Sequence, residues 1–369
     1  MKNIKKKFAV AIIGRGFAGL TSAVELARTG VKDIVLIYDH LSDCSASSAA
    51  QGLSAIKGIL EADASLFALK LQGHRGFERW LKDVEAAAEK RRPPHVWLSG
   101  VAENFDTRES FRKDFGRIYR GDFIGAKNVL VSFARDDSFA HAEYPGDFWI
   151  DSNYLLGILS DAARKMGVTM LAGKVEKISA GPGGALIIAG GHTVAAECTI
   201  IAAGPESWRL LPEGADQSFA DICGVSGYTF QSDTIGTSRC EVKGTNSFVA
   251  SHGKAYWGST SDAAAPIATV LVKAKNAGRE GETTAAIELA KKVISDSSVL
   301  TNIRSNWGIR VRAKGRIPIV RKVHDTGNIW LNTGYYKSGI ILAWLFARRL
   351  AEQVAISLKN AERPETSNR

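Results

Sequence analysis

The sequence is short of the residues that hold small or metal-bound folds together. Only four of its 369 residues are cysteine. Cys44, Cys198, Cys223 and Cys240 show no metal-ligand spacing and are too sparse for a disulfide framework. A metal-built or cross-linked secreted fold is thereby excluded, and a cytoplasmic location is expected. No apolar run reaches the ~18 residues of a membrane-spanning helix. Lys2, Lys5, Lys6 and Lys7 precede an apolar segment in the manner of a secretory signal, but Arg15 ends that segment after residues 8–14. The seven histidines are scattered and form no evident catalytic triad. Repeats and low-complexity segments are absent. Acidic residues number 38 against 48 basic ones, leaving a net charge of +10, much of it at residues 2–7, 90–92, 310–321 and 348–349. Such a surface suits acidic ligands or a polyanion and speaks to association, not to chemistry. The chain is long enough for a large core and about two domains.

What is present begins at residue 8. An apolar run over 8–13 leads into Gly14-Arg15-Gly16-Phe17-Ala18-Gly19. A helical pattern follows with Leu20, Ala23, Val24 and Leu26 on one face, Gly30 stops it, and a second apolar run over 34–38 ends at Asp39, 20 positions beyond Gly19. Strand, glycine turn, helix and strand with that acidic partner make a dinucleotide-binding fingerprint. Gly14 allows the tight turn, Gly16 lets backbone approach a pyrophosphate, and Gly19 lets helix and sheet pack. The helix N-terminus directs its N–H groups and positive dipole end at phosphate, and Asp39 accepts from ribose hydroxyls. The unit points to an adenine dinucleotide.

The rest of the chain departs from a simple nicotinamide dehydrogenase, in which a second mononucleotide half follows directly. After a small-residue loop over 45–52, the spacing predicts a helix over about 62–89, broken by Arg91-Arg92-Pro93-Pro94. Short alternating strands fill 96–148. A helix over 154–166 leads to strands over 169–171 and 174–178, a glycine-rich hairpin at 180–184, and a strand pair ending in Ile201-Ala202-Ala203-Gly204. Residues 220–272 again read as β-rich. A helix over about 283–294, a strand over 329–331, a loop over 332–339 and a helix over about 340–358 complete the pattern. Two α/β blocks therefore alternate with two β-rich insertions.

This ordered set resembles the D-amino acid oxidase family of flavoproteins, in the branch of glycine oxidase and sarcosine oxidase, over nearly the whole chain. Its carriers are the glycine turn and Asp39, the loop Ala46-Ser47-Ser48-Ala49-Ala50-Gln51-Gly52, Ile150-Asp151, Ile201 to Gly204, Trp307-Gly308-Ile309-Arg310, and Gly334-Tyr335-Tyr336-Lys337-Ser338-Gly339-Ile340. The resemblance implies an α/β plus α+β fold: a Rossmann-like FAD-binding domain (1–90, 150–215 and 305–369) interleaved with a substrate domain built on an antiparallel sheet (91–149 and 216–304).

The resemblance also implies FAD, held noncovalently. Gly14, Gly16, Phe17, Ala18 and Gly19 would face its pyrophosphate, with Asp39 and His40 at its ribose. Ser47, Ser48, Ala50, Gln51 and Gly52 would pass near pyrophosphate and isoalloxazine, Val175 would meet the adenine, and Ala203 and Gly204 the ADP half. Gly334, Ser338, Gly339 and Ile340 would sit at the flavin ring, where a helix dipole favours its reduced, negative form. Arg310 matches the family's carboxylate-gripping arginine, although Val311 follows it where proline is usual. Lys337 stands where glycine oxidase-like members carry a second arginine. Tyr256, Trp257, Tyr335 and Tyr336 are pocket-wall positions, with Tyr256 and Tyr336 joining Arg310 and Lys337 as catalytic candidates.

The implied chemistry is oxidation of a small amino acid or secondary amine bearing a carboxylate. Hydride passes to flavin N5, the imine hydrolyses, and oxygen or a respiratory acceptor reoxidises the flavin. Two alternatives share the flavin. The segments 48–53 and 146–151 are similar to the flavin domain that removes a carboxymethyl group from wobble uridine in tRNA, a partner the basic charge would suit. The missing proline and Lys337 also fit a flavin-binding accessory subunit without its own turnover.

Overall fold

The strand Lys2–Ile13 organises the first sheet because both faces of its second half, residues 8–13, are apolar. Alternate residues divide: Val10 and Ile12 join one core, Ala11 and Ile13 the other. The computed structural model describes residues 2–40, 44–55, 64–107, 109–111, 130–133, 140–181, 183–212, 222–235, 237–243, 246–258, 261–276, 282–294, 298–323 and 327–361. Parallel to Lys2–Ile13 lie Ile34–Tyr38 and His192–Ile201, flanked in turn by Thr169–Ala172 and Ile329–Thr333, also parallel. Ile319–Lys322 closes one edge antiparallel.

Four helices cover the Val10 face: Phe17–Arg28, Ala64–Ala87, Ser152–Lys165 and Gly339–Ala361. Their Leu20, Phe77, Leu159 and Leu350 are fully or almost fully buried together. The hairpin Val175–Gly181 with Gly184–Ala189 supplies Ile178 and Ile187 to the opposite core.

Among the described residues the second sheet has ten strands, eight of them ordered Ala265–Pro266, Cys223–Thr234, Lys254–Gly258, Asn246–Ser251, Arg239–Lys243, Trp97–Phe105, Ala140–Ile150 and Leu53–Ser54. Leu300–Arg312 also pairs with Cys223–Thr234, and Leu130–Phe133 with Ala140–Ile150. The pairing is antiparallel except between Arg239–Lys243 and Trp97–Phe105, which run parallel. Helix Glu282–Lys291 buries Ala286 and Ala290 against Phe230, Phe248 and Trp257.

Three sequence expectations are corrected. Residues 305–312, assigned to the FAD-binding block, hydrogen-bond along Cys223–Thr234 within the second sheet. Leu53–Ser54 crosses likewise, pairing with Trp149 and Phe148. The β-rich stretch ends early, because Ile267–Asn276 is helical: its apolar run ATVLV is too short for periodicity to separate strand from helix. Gly236 and Gly244, which the sequence places at turns of the 220–272 stretch, lie outside the described residues. Among the described residues no helix is long and apolar enough to cross a membrane.

Candidate functional site

The glycine turn is built as its sequence requires. Gly14 has φ +112°, and a Cβ there would stand 2.3 Å from the Ala202 carbonyl oxygen. A Cβ on Gly19 would meet the Gly14 oxygen at 1.8 Å. Only glycine permits this approach of helix, turn and neighbouring strand. The Gly14 N–H donates to the Ile37 carbonyl at 2.8 Å, and the Ala202 N–H to Ile13 at 2.8 Å, so the turn is tied to both parallel neighbours. Gly16 offers the helix no capping side chain. The cap comes from elsewhere: Ser47 Oγ accepts the Phe17 N–H at 3.0 Å.

Ser47 belongs to a loop over 44–52 that is clamped between the two sheets. On the second-sheet side, the Ile309 N–H donates to the Cys44 carbonyl at 3.1 Å. Thr229 Oγ1 donates to the Ala49 carbonyl at 3.0 Å, Trp149 Nε1 to the Gln51 carbonyl at 2.7 Å, and Ser247 Oγ to Gln51 Oε1 at 2.6 Å. Gly308 makes room, since a Cβ there would lie 2.8 Å from the Ser45 oxygen. Gly52, at φ +94°, would put a Cβ 1.9 Å from the Ile150 oxygen.

This clamped loop is one wall of a cavity of about 1140 Å³. That exceeds the roughly 300–1,000 Å³ of pockets for drug-sized ligands, as a dinucleotide with a substrate requires. Gly14, Gly16, Phe17 and Ala18 line it beside Ser47, Ser48, Ala50, Gln51 and Gly52. Asp39, His40, Val175, Ala203 and Gly204 line it beyond the end of Ile34–Tyr38. Arg310, Gly334, Tyr336, Lys337, Ser338, Gly339 and Ile340 line it where the last helix begins. Gly19 is not in the lining; it serves helix–turn packing. Tyr256 is not in the lining either, which corrects its placement as a pocket wall. Its hydroxyl donates at 3.0 Å to Asp151 Oδ2, and Asp151 Oδ1 caps helix Ser152–Lys165 by accepting from the Asn153 and Tyr154 N–H groups. Burial and that carboxylate push the Tyr256 phenol up. Trp257 is core, donating from Nε1 to the Ala286 carbonyl at 2.8 Å.

Arg310 sits in the Leu300–Arg312 strand opposite Val225. Its Nη2 donates to Ser261 Oγ at 3.1 Å and reaches the Ser226 carbonyl at 3.4 Å. Burial pushes the guanidinium below its ordinary value, opposed by Tyr336 and Asp262, which favour the cation. Val311, standing where proline was expected, gives its carbonyl to the Tyr336 N–H at 2.9 Å. That bond brings the 334–338 loop beside Arg310. Tyr336 holds φ +50° there, with Lys337 Nζ 5.7 Å and Arg316 Cζ 6.0 Å from its ring. Behind it, Tyr335 is buried and donates to Asn332 Oδ1 at 2.6 Å, while Asn332 Nδ2 donates to Ser22 Oγ at 2.9 Å. The site loop is thereby tied to the fingerprint helix.

Sequence reasoning missed several lining residues. Arg15, treated only as an interruption, stacks over the Tyr38 ring at 4.4 Å. Arg209 donates from Nη2 to the Val175 carbonyl at 3.4 Å, and Lys174 lines the cavity beside it. Asn332 is fully buried, and its place just before the Gly334 loop was the available signal. Ser54 lines the cavity and contacts a buried histidine, His74, through Nδ1 at 2.8 Å. No spacing in the sequence pointed to that pair.

The sequence profile of the family described as FAD dependent oxidoreductase (DAO) matches residues 9–353. No curated protein sequence matches the chain significantly. Among solved structures, glycine oxidase from Bacillus cereus ATCC 14579 is similar with a TM-score of 0.78 and 17% identity, covering 98% of this chain and 100% of that one. Iminodiacetate oxidase from Chelativorans sp. BNC1 is similar with a TM-score of 0.75 and 18% identity, over 97% of this chain and 96% of that one. Glycine oxidase from Geobacillus kaustophilus gives 0.74 and 19%, over 97% and 96%.

Proposed function

The chain belongs to the family of FAD-dependent oxidoreductases, and from that premise we propose that it oxidises the C–N bond of a small amino acid or secondary amine that carries a carboxylate. FAD, when bound, supplies the acceptor for the hydride that leaves the carbon next to nitrogen. The chain's own residues bind and orient. The Gly14–Gly19 turn and the N-terminus of Phe17–Arg28 would take the pyrophosphate, and Asp39 a ribose. Gly339 and Ile340, opening a 23-residue helix, would direct backbone N–H groups and a positive dipole end at the flavin ring.

The observation that carries the substrate class is Arg310. A half-buried guanidinium, steered by Ser226 and Ser261 and facing a cavity shared with Lys337, is built to grip a carboxylate in two-pronged fashion. The grip would hold the amine carbon over the ring, and positioning is the larger part of such catalysis. Glycine and iminodiacetate, for which the structural relatives are named, both place a carboxylate one carbon from an amine nitrogen. In two of the four basic clusters, acidic neighbours offset part of the charge that the tRNA alternative would use. Lys90 pairs with Asp161, Arg92 with Glu85, Lys7 with Glu197 and Lys6 with Asp33.

The test is anaerobic mixing of the FAD-loaded protein with a panel of amino acids and N-substituted amino acids. The proposal expects at least one carboxylated amine to bleach the visible flavin band. A panel that leaves the band unchanged throughout defeats it.

A further inference from the structure

Ser54, His74 and Asp147 form a buried polar chain at the cavity wall. They come from three separate elements: Leu53–Ser54, helix Ala64–Ala87 and strand Ala140–Ile150. Ser54 is 5% exposed, His74 9% and Asp147 2%. Ser54 Oγ lies 2.8 Å from His74 Nδ1, and His74 Nε2 lies 3.6 Å from Asp147 Oδ1. The ring is sandwiched in place, stacking on Phe148 with centroids 5.3 Å apart.

The direction of the Ser54 bond follows from its surroundings. The Gly146 backbone bonds the imidazole as well and favours its protonated form. On the Nε2 edge the neighbouring atom is a carboxylate oxygen, Asp147 Oδ1. A neutral imidazole has one N–H, and that acceptor places it on Nε2. Burial holds the ring neutral, pushing its pKa down to about 4. Arg75 opposes the cation as well, while the Gly146 backbone favours it, and burial prevails. Nδ1 is therefore an acceptor and takes the Ser54 hydroxyl proton. Ser54 Oγ, its proton committed, keeps lone pairs alone for the cavity.

The position is informative too. A Cβ on Gly73, next to His74, would meet the Ile341 carbonyl oxygen at 2.3 Å, so this part of the helix presses on the first turn of Gly339–Ala361. Ser54 and Ile341 both line the cavity. Ser54, bonded to His74, thus lines the cavity near the end where that helix begins.

We propose that Ser54 is a binding residue that accepts an N–H hydrogen bond from the occupant of that end of the cavity, and that His74, held by Gly146 and Asp147, is the positioning residue that makes Ser54 an acceptor and not a donor. This rests on the amine-oxidising reading of the cavity. Two occupants there carry the chemistry, the flavin ring and the substrate amine.

The experiment uses FAD-loaded protein and the nearly isosteric Ser54→Ala. It measures the FAD dissociation constant with the visible spectrum, and the amine dissociation constant in anaerobic reduction. A neutral hydrogen bond sets the expected loss at about three- to tenfold. Weaker FAD binding with a shifted visible band identifies the flavin as donor. Weaker amine binding with an unchanged band and limiting rate identifies the substrate. His74→Leu reproduces the loss, the double variant is no worse, and His74→Asn, which keeps an acceptor near the Nδ1 position, retains most of the affinity. Ser54→Ala equal to wild type in both arms overturns the proposal, as do losses that multiply in the double variant. A wild-type protein that holds FAD but is reduced by no amine overturns the functional reading instead, and the flavin arm then decides Ser54 by itself.

Discussion

In the proposed function, Arg310 is the side chain on which substrate choice turns. Removing a cation that grips a buried carboxylate leaves an unpaired charge, which costs about 3 kcal/mol or ~100-fold in binding. Arg310→Met should lower the apparent affinity for a carboxylated amine by that factor while FAD stays bound, read by anaerobic titration and by flavin released on denaturation. Unchanged titration would remove Arg310 from the site. His74 bears on stability. Its native pKa, about 4, is depressed below the ordinary 6.5. Between those values the unfolded chain binds a proton that the native ring refuses, so stability falls as the pH drops from about 6.5 to about 4, by roughly 3 kcal/mol in all. The denaturation midpoint of wild type should therefore fall more steeply over that window than that of His74→Asn; parallel falls would contradict the neutral buried imidazole.

The loop over 44–52 shows why segments far apart in sequence converge. It caps the fingerprint helix through Ser47 and docks on the second sheet through Ala49, Gln51 and the groove left by Gly308. Gly308→Ala puts a methyl 2.8 Å from the Ser45 oxygen, a backbone atom that cannot rotate away. Such crowding costs about 1–3 kcal/mol, and it should also weaken FAD binding by shifting the loop. Gly183→Ala, with nothing within 4 Å, is the control and should be near neutral in the same denaturant titration. The glycine turn and its helix were legible in sequence because strand, turn and helix obey local rules over 32 residues, 8–39. The loop's chemistry was legible only through family likeness. Its partners Thr229, Trp149 and Ser247 lie 98 to 196 residues away, beyond any periodicity. Tyr256 was misplaced for the same reason: an aromatic in a strand carries no sign of which face meets the cavity and which meets Asp151.

The two sheets share one cavity, and each supplies what the other lacks. The first brings the phosphate-directed turn and the last helix; the second brings Arg310 on a strand whose carbonyl at Val311 fixes the Tyr336 loop. In the proposed function, cofactor and substrate contacts meet at this seam between interleaved segments. That explains why the segment 305–312 read as part of the first block while it hydrogen-bonds in the second. Alternation of α/β and β-rich stretches was visible along the chain, but which block owns a strand depends on pairing, and pairing is not written locally. The same holds for the buried Ser54–His74–Asp147 chain. The most direct measurement is a stopped-flow comparison, without oxygen, of flavin bleaching by glycine-type amino acids and by the same amines lacking the carboxylate. The account predicts that at least one amino acid of the pair bleaches the flavin and its decarboxylated counterpart is slower by ~100-fold or more. Equal rates, or bleaching by neither, would contradict it.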